Sequence, residues 1–130
     1  MDTIFTKIIK KEIPAYIIAE DEKNIAFLDI APLAKGHVLV VPKKQVDYIF
    51  DLEDTEFISL HRFSKKIAGA LKKTISCERI GIAVIGLEVP HTHIHLVPIN
   101  NIYDIDFSKE KLSLSSEELE NIAKAIKNNL

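Results

Sequence analysis

The segment that most constrains the fold is residues 91–98, His-Thr-His-Ile-His-Leu-Val-Pro, where three histidines alternate with other side chains. A period of two is typical of a β-strand, whose side chains point to opposite faces in turn. We therefore predict a strand over residues 91–98, in which His91, His93 and His95 share one face with neighbouring Cα atoms roughly 6.5–7 Å apart. An unpaired buried polar group costs about 1–3 kcal/mol. This face is therefore expected to meet water, a metal or a ligand, while the other face packs on a core.

The rest of the chain predicts further strands and three helices. Apolar side chains recur at helical spacing in the long segment that follows Glu53. The predicted elements are a short helix within the first ten residues, strands over 16–20, 25–30, 37–41 and 80–85, a helix from about Asp54 to about Thr74 with Asp54 or Thr55 as its cap, and a helix from Ser115 to about Asn128. Strands come in runs, so we predict an α+β fold: a mainly antiparallel sheet of about five strands, one long central helix and a C-terminal helix.

Composition narrows the class of protein. The length of 130 residues suits one domain over residues 1–130. Lysine and arginine number 17 against 19 acidic residues, so the net charge of −2 argues against a nucleic-acid partner. The single cysteine, Cys77, excludes an internal disulfide. No signal peptide is visible, and no apolar run approaches the ~20 residues that span a bilayer. We expect a cytoplasmic protein with no membrane partner.

The histidine triplet has three interpretations on its residues alone. It could be a polar surface on an edge strand. It could be a metal site, since imidazole is a common zinc ligand and three imidazoles leave an open coordination position. It could also carry nucleophilic catalysis, because a neutral imidazole attacks phosphorus through a ring nitrogen and its ordinary pKa is about 6.5. The residues themselves leave the last two open.

The run from His91 to Val97 resembles the signature of the histidine-triad (HIT) family, in which histidine and an apolar residue alternate three times. Threonine stands here at the first spacer. The resemblance extends over most of the chain, through residues 4–5, 7–9, 12–15, 26–32 and 35–44. It implies a HIT-like fold, a homodimer in which the two sheets join, and a purine nucleotide whose α-phosphate lies at the triad.

The resemblance also implies roles for four histidines. His93 resembles the nucleophile that forms a nucleotidyl-histidine intermediate, from which water releases a nucleoside monophosphate. His95 resembles a residue that contacts the phosphate and assists the leaving group. His91 resembles the residue that supports the nucleophile, and His37 resembles a fourth active-site histidine.

Four further residues resemble the family's nucleotide contacts. Asp29 corresponds to the carboxylate that accepts hydrogen bonds from the ribose hydroxyls. Phe27 and Ile30 correspond to the apolar walls around the base, with Ile8 as a further candidate. A purely structural role stays open for each: the core for Phe27 and Ile30, a turn or cap for Asp29.

The loop before the triad departs from the family pattern. A Gly-Gln-Ser/Thr stretch is common there, whereas residues 86–90 read Gly-Leu-Glu-Val-Pro. Glu88 therefore stands beside the nucleotide, where a hydroxyl would touch phosphate. Two like charges at about 4 Å repel by about 1 kcal/mol in water and by more at lower dielectric. Glu88 points away, pairs with a lysine, or accompanies a different substrate. The asparagine usual before this loop has no counterpart in residues 82–85.

A third departure concerns metal. Many bacterial members of the family bind a structural zinc through an N-terminal CxxC and further histidines. Here residues 3–6 read Thr-Ile-Phe-Thr, and Gln45 stands where a histidine often occurs. Hydroxyls and an amide are poor zinc ligands beside thiolate and imidazole. We therefore predict that the protein has no structural zinc and no other cofactor.

Together these features predict a hydrolase of purine nucleoside 5′-phosphoramidates or related nucleotide conjugates, with His93 as the nucleophile. One alternative is a nucleotide-binding regulatory module with weak turnover, which the residues Leu87 and Glu88 motivate. Another is a dinucleoside polyphosphate hydrolase, which shares the chemistry and differs only in its leaving group.

Overall fold

Five strands form one antiparallel sheet in the computed structural model, which describes residues 1–130. In chain order the elements are α1 (Ile4–Ile9), β1 (Ile17–Glu20), β2 (Asn24–Leu28), β3 (Val38–Pro42), a 3-10 turn (Ile49–Asp51), α2 (Asp54–Thr74), β4 (Arg79–Ala83), β5 (Ile94–Ile99) and α3 (Ser116–Lys127). The strand order is β1-β2-β3-β5-β4, and every neighbouring pair is antiparallel. This confirms the predicted α+β fold.

Two apolar clusters cover the two faces of the sheet. The larger one lies beneath α2 and α3 and includes Ala26, Val38, Val40, Leu60, Ile67, Leu71, Ile94, Leu96 and Ile126. The smaller one lies on the opposite face, beside α1, and consists of Phe5, Ile8, Ile25, Phe27, Leu39 and Val41. Burying one such side chain contributes about 1.5–3 kcal/mol, so the larger cluster supplies most of the driving force for folding.

The short helix α1 leaves part of the second face open. It has only six residues. The register places Phe27 opposite Leu39, and Leu39 opposite His95, so these three side chains share a face of the sheet. A cavity lined by these three side chains lies over this part of the face.

The helices begin and end close to the predicted residues. Helix α2 runs from Asp54 to Thr74 as expected, but its N-cap is Glu53, one residue before the predicted cap. The carboxylate of Glu56 accepts a hydrogen bond from the backbone N–H of Glu53 at 3.1 Å. Helix α3 is capped by Ser115, as predicted. None of the helices is both long and apolar enough to cross a membrane.

The strand that carries the histidines differs from its prediction. Strand β5 begins at Ile94, so His91 and His93 precede it and only His95 belongs to the ladder. The backbone N–H of Thr92 donates instead to the carbonyl of Val46, at 2.7 Å. Residues 91–93 therefore bond to the loop after β3 rather than to a neighbouring strand, and a strand over residues 91–98 was wrong for its first three residues. Strands β2 and β4 also end two residues before the predicted positions.

Candidate active site

A cavity of about 580 Å³ lies over the open part of the sheet. Its walls come from α1, the end of β2, the start of β5, the loop before the triad and a segment after β5. Among the predicted site residues it is lined by Ile8, Phe27, Asp29, Ile30, His37, Glu88, His93 and His95. Of all the predicted residues, only His91 lies outside the lining.

A hydrogen bond to the backbone determines which ring nitrogen of His93 carries the hydrogen. Its Nδ1 lies 2.7 Å from the carbonyl oxygen of His91. A carbonyl can only accept, so Nδ1 carries the hydrogen, and in a neutral ring Nε2 then keeps its lone pair. No protein group hydrogen-bonds to Nε2. The ring of Phe5 packs edge-on against His93 with centroids 4.9 Å apart, which holds the imidazole in place. The neutral form of His93 therefore offers an oriented ring nitrogen with a free lone pair at the cavity.

His95 is the opposite tautomer of His93, with its hydrogen on Nε2. The backbone N–H of Leu33 determines this tautomer through the ring of His37. The N–H of Leu33 donates to Nδ1 of His37 at 3.0 Å. The neutral His37 ring therefore carries its hydrogen on Nε2, which lies 3.0 Å from Nδ1 of His95. Nδ1 of His95 accepts this bond, so the hydrogen of His95 is on Nε2. One ring thus presents a lone pair and its neighbour presents an N–H donor, with centroids 5.0 Å apart.

Burial keeps both partners of this pair neutral. Removal from water, together with a smaller effect of the neighbouring His95, lowers the pKa of His37 to about 3. Removal from water likewise lowers the pKa of His95 to about 4, with His93 contributing in the same direction. Both rings are therefore neutral at pH 7, and each hydrogen bond in the chain from Leu33 through His37 to His95 has one defined donor and one acceptor.

Asp29 lies just after β2, with one carboxylate oxygen committed to the backbone. Its Oδ1 accepts the N–H of Ala31 at 2.9 Å, so the turn role left open by the sequence holds for this oxygen. Its Oδ2 lies 3.6 Å from Nε2 of His37 and retains capacity to accept further hydrogen bonds. Burial raises the pKa of Asp29, and the nearby Glu88 carboxylate adds to that effect.

The apolar walls combine core packing and cavity lining. Phe27 and Ile8 are buried and belong to the smaller core cluster, yet both also line the cavity. Ile30 is 65% exposed, so the core role left open for it is wrong, and its side chain lies at the cavity's rim.

His91 is placed differently from its prediction. It is fully buried, and its Nε2 donates to the carbonyl of Pro42 at 2.7 Å. Its own backbone carbonyl, rather than its ring, contacts His93. The three histidines therefore do not form one row facing a ligand, because His91 and His93 lie outside the regular strand.

Glu88 lies at the rim of the cavity and is exposed. None of the ion pairs in the structure includes Glu88. Pairing with a lysine, one of the three explanations offered for this glutamate, is therefore not observed.

The sequence missed two cavity residues that follow β5. The ring of Phe107 lies edge-on to His95, with centroids 4.6 Å apart, and Lys111 also lines the cavity. Residues 100–111 have no periodic pattern, and they reach the site because the N–H of Leu112 donates to the carbonyl of Pro32 at 2.8 Å. This long-range contact has no local signal in the sequence.

One cluster in the cavity has the dimensions of a cation site. Ligand atoms of Asp29, His37 and His95 all lie within 4.8 Å of one another. A metal ligand must offer a lone pair. The Leu33 N–H occupies Nδ1 of His37 and leaves Nε2 protonated, so His37 fits a metal poorly.

The residues at the family's structural zinc position do not fit zinc either. The hydroxyl oxygens of Thr3 and Thr6 lie 3.0 Å apart and cap α1 reciprocally. The side-chain amide of Gln45 donates to the carbonyl of Met1 at 2.7 Å. These groups are hydrogen-bonded to one another or to backbone, and zinc would have to displace those bonds with weak ligands. The absence of a cofactor stays a prediction.

Comparison with known proteins identifies the family. The sequence profile of the HIT domain matches residues 10–102. The chain belongs to the HIT family. An uncharacterized HIT-like protein of Borreliella burgdorferi is 36% identical over 99% of both chains. An adenosine 5′-monophosphoramidase of Schizosaccharomyces pombe is 32% identical, covering 97% of this chain and 96% of that protein. A HIT-like protein of Bartonella henselae superposes with a TM-score of 0.86 at 33% identity, over 99% of this chain and 97% of its own. The resemblance to the HIT family and the HIT-like fold are thereby confirmed.

Proposed function

We propose that this HIT-family chain is a nucleotide hydrolase that cleaves purine nucleoside 5′-phosphoramidates, or related nucleotide conjugates, through a nucleotidyl-histidine intermediate on His93. The observation that carries the proposal is the pairing of an unprotonated Nε2 on His93 with an N–H donor on His95 in one cavity. Attack on phosphorus requires a lone pair, and the charge that develops on phosphate oxygens requires a donor.

The chemistry proceeds in two balanced steps. Nε2 of His93 attacks the α-phosphorus, the bond from phosphorus to the leaving nitrogen breaks, and that nitrogen takes up a proton from solution as the amine departs. Water then adds its oxygen to phosphorus, the bond to Nε2 breaks, and a proton is returned to solution. In the intermediate the His93 ring carries a positive charge, and the carbonyl of His91 stabilises it through the bond to Nδ1. The N–H of His95 donates to a phosphate oxygen in both steps.

The cavity suits a nucleotide in size and lining. Its volume of about 580 Å³ falls within the range of small-molecule sites. Phe27, Leu39 and Ile8 provide an apolar surface for a purine, and Oδ2 of Asp29 provides an acceptor for a ribose diol. The name of the S. pombe relative, adenosine 5′-monophosphoramidase, supports the same substrate class.

The decisive experiment is single-turnover mass spectrometry with adenosine 5′-phosphoramidate. Wild type is expected to show a transient adduct of one adenylyl group and to release AMP, and His93→Asn is expected to show neither. The matched control is His61→Asn, which removes a histidine on α2 outside the cavity and is expected to behave as wild type. Turnover by His93→Asn close to the wild-type rate would refute the assignment of the nucleophile.

A regulatory nucleotide-binding module is the second candidate, favoured by the negative charge of Glu88 at the cavity rim. It predicts clear AMP binding with negligible turnover on phosphoramidates and dinucleotides. Turnover of dinucleoside polyphosphates in preference to phosphoramidates would instead favour the third alternative, with the same nucleophile.

We also propose that the active form is a homodimer joined through β4. This strand lies at the edge of the sheet, with one side of its backbone unpaired. Ile82 in the middle of β4 is 56% exposed. An exposed edge with an apolar side chain is a template for pairing with a second strand, so two copies of β4 would extend the sheet across both chains.

A further inference from the structure

We propose that Lys111 is a substrate-binding residue that recognises the phosphate of the nucleotide, a role that the match to the HIT domain does not assign. The matched residues end at position 102, whereas Lys111 lies nine positions further along the chain. This inference rests on the proposed function, because it names a further contact to the same nucleotide.

The segment that carries Lys111 is held against the catalytic histidines. The N–H of Leu112 bonds at 2.8 Å to Pro32, in the loop that follows Asp29. On the other side, the ring of Phe107 packs on His95. These two attachments fix both ends of the short stretch between Phe107 and Leu112, so the side chain of Lys111 is presented at a defined place on the cavity wall.

The ammonium group of Lys111 is positioned but not neutralised. Its Nζ donates to the carbonyl oxygens of Phe107 and Lys109, at 2.6 and 2.8 Å. An ammonium has three N–H donors, so one remains for a ligand. None of the ion pairs in the structure, counted to 4.0 Å, includes Lys111. Its positive charge nevertheless acts on Asp29 and His37, since it lowers the pKa of both groups.

The lining of the cavity holds two carboxylates and one ammonium group, and a bound phosphate would add further negative charge. Asp29 and Glu88 line the cavity as carboxylates, and His37 and His95 are neutral at pH 7. Lys111 is the only lysine or arginine among the lining residues. Without it, a nucleotide phosphate would meet two negative groups and no positive side chain. Lys111 offsets the negative charge that Glu88 brings to the rim of the cavity.

The test compares a charged and an uncharged ligand by calorimetry. Lys111→Gln removes the charge and keeps an N–H donor, one bond closer to the backbone. We expect its dissociation constant for AMP to rise about ten-fold, or about 1.4 kcal/mol, while that for adenosine changes by less than about two-fold. The matched control is Lys109→Gln, which removes an exposed lysine whose Nζ lies 4.0 Å from Asp104, and it should bind both ligands as wild type does. Lys111→Arg should restore most of the AMP affinity.

Each other outcome overturns the inference. Equal weakening of AMP and adenosine by Lys111→Gln would mean that Lys111 only braces the segment. An unchanged AMP affinity would mean that the lysine does not contact phosphate, and adduct formation on His93 in the same variant would leave the proposed hydrolase intact. Wild type that binds adenosine as tightly as AMP would also overturn this contact, because no side chain would then recognise the phosphate.

Discussion

Lowering the pH from about 7.5 to about 5 is expected to destabilise the folded protein through His37 and His95. Both side chains are almost fully buried, at 1% and 8% exposure, and both are neutral in the folded state because burial lowers the pKa of each. In the unfolded chain the same rings regain ordinary pKa values of about 6.5. Below that pH the unfolded chain binds protons that the folded protein does not, so stability falls as the pH falls.

The size of the effect follows from the two pKa values. The folded values are about 3 for His37 and about 4 for His95, so the window of loss runs from pH 6.5 down to those values. Within it each histidine costs about 1.4 kcal/mol per pH unit. At pH 5, about 1.5 units below the unfolded value, each contributes a loss of about 2 kcal/mol and the pair about 4 kcal/mol.

Urea denaturation followed by circular dichroism measures this loss directly. Wild type is compared with His37→Asn, each protein against itself at the higher pH, so a general destabilisation by the substitution cancels. The variant lacks one of the two groups and should lose about 2 kcal/mol less than wild type between the two pH values. If His37→Asn does not fold, His95→Asn provides the same comparison. Equal losses in wild type and variant would refute the view that these buried rings stay neutral in the folded protein.

Two further predictions concern the fold and the assembly. Gly36→Ala should destabilise the protein by about 2 kcal/mol in the same urea assay. Gly36 has φ of +89°, and an added Cβ would lie 2.8 Å from Cγ1 of Ile75 and 3.0 Å from Cδ1 of Leu71; an unchanged midpoint would contradict this steric reasoning. Ile82→Asp, on the exposed edge of β4, should convert the proposed dimer to monomer in light scattering while leaving the circular dichroism spectrum unchanged. A dimer that survives this substitution would place the interface elsewhere.

The periodic parts of the sequence predicted the fold. The nearly continuous apolar run of β3 is typical of a strand buried on both faces, and all five of its residues are buried. Apolar side chains recur at helical spacing throughout α2, because one face of the helix must pack on the sheet. The extent of this spacing predicted where the helix begins and ends. Such patterns are local consequences of burying one face of an element, and a single chain displays them.

Which side chains would gather at the site could also be anticipated, through the family resemblance. Asp29, His37, His93 and His95 come from three separate segments of the chain, and all of them line the one cavity. The predicted strand through the triad failed at His91, however. Alternation in the sequence cannot report that the backbone of Thr92 bonds to Val46 and leaves the ladder.

By itself, then, the sequence determined the residue types at the site, the order of the elements and the faces that become buried. Only the tertiary structure decided the chemistry of each ring. The carbonyl of His91 makes His93 a lone-pair donor, and the amide of Leu33, acting through His37, makes His95 an N–H donor. It also brought Lys111 to the cavity. A tautomer depends on which atom lies within about 3 Å of a ring nitrogen, and such distances between remote segments exist only after the chain has folded.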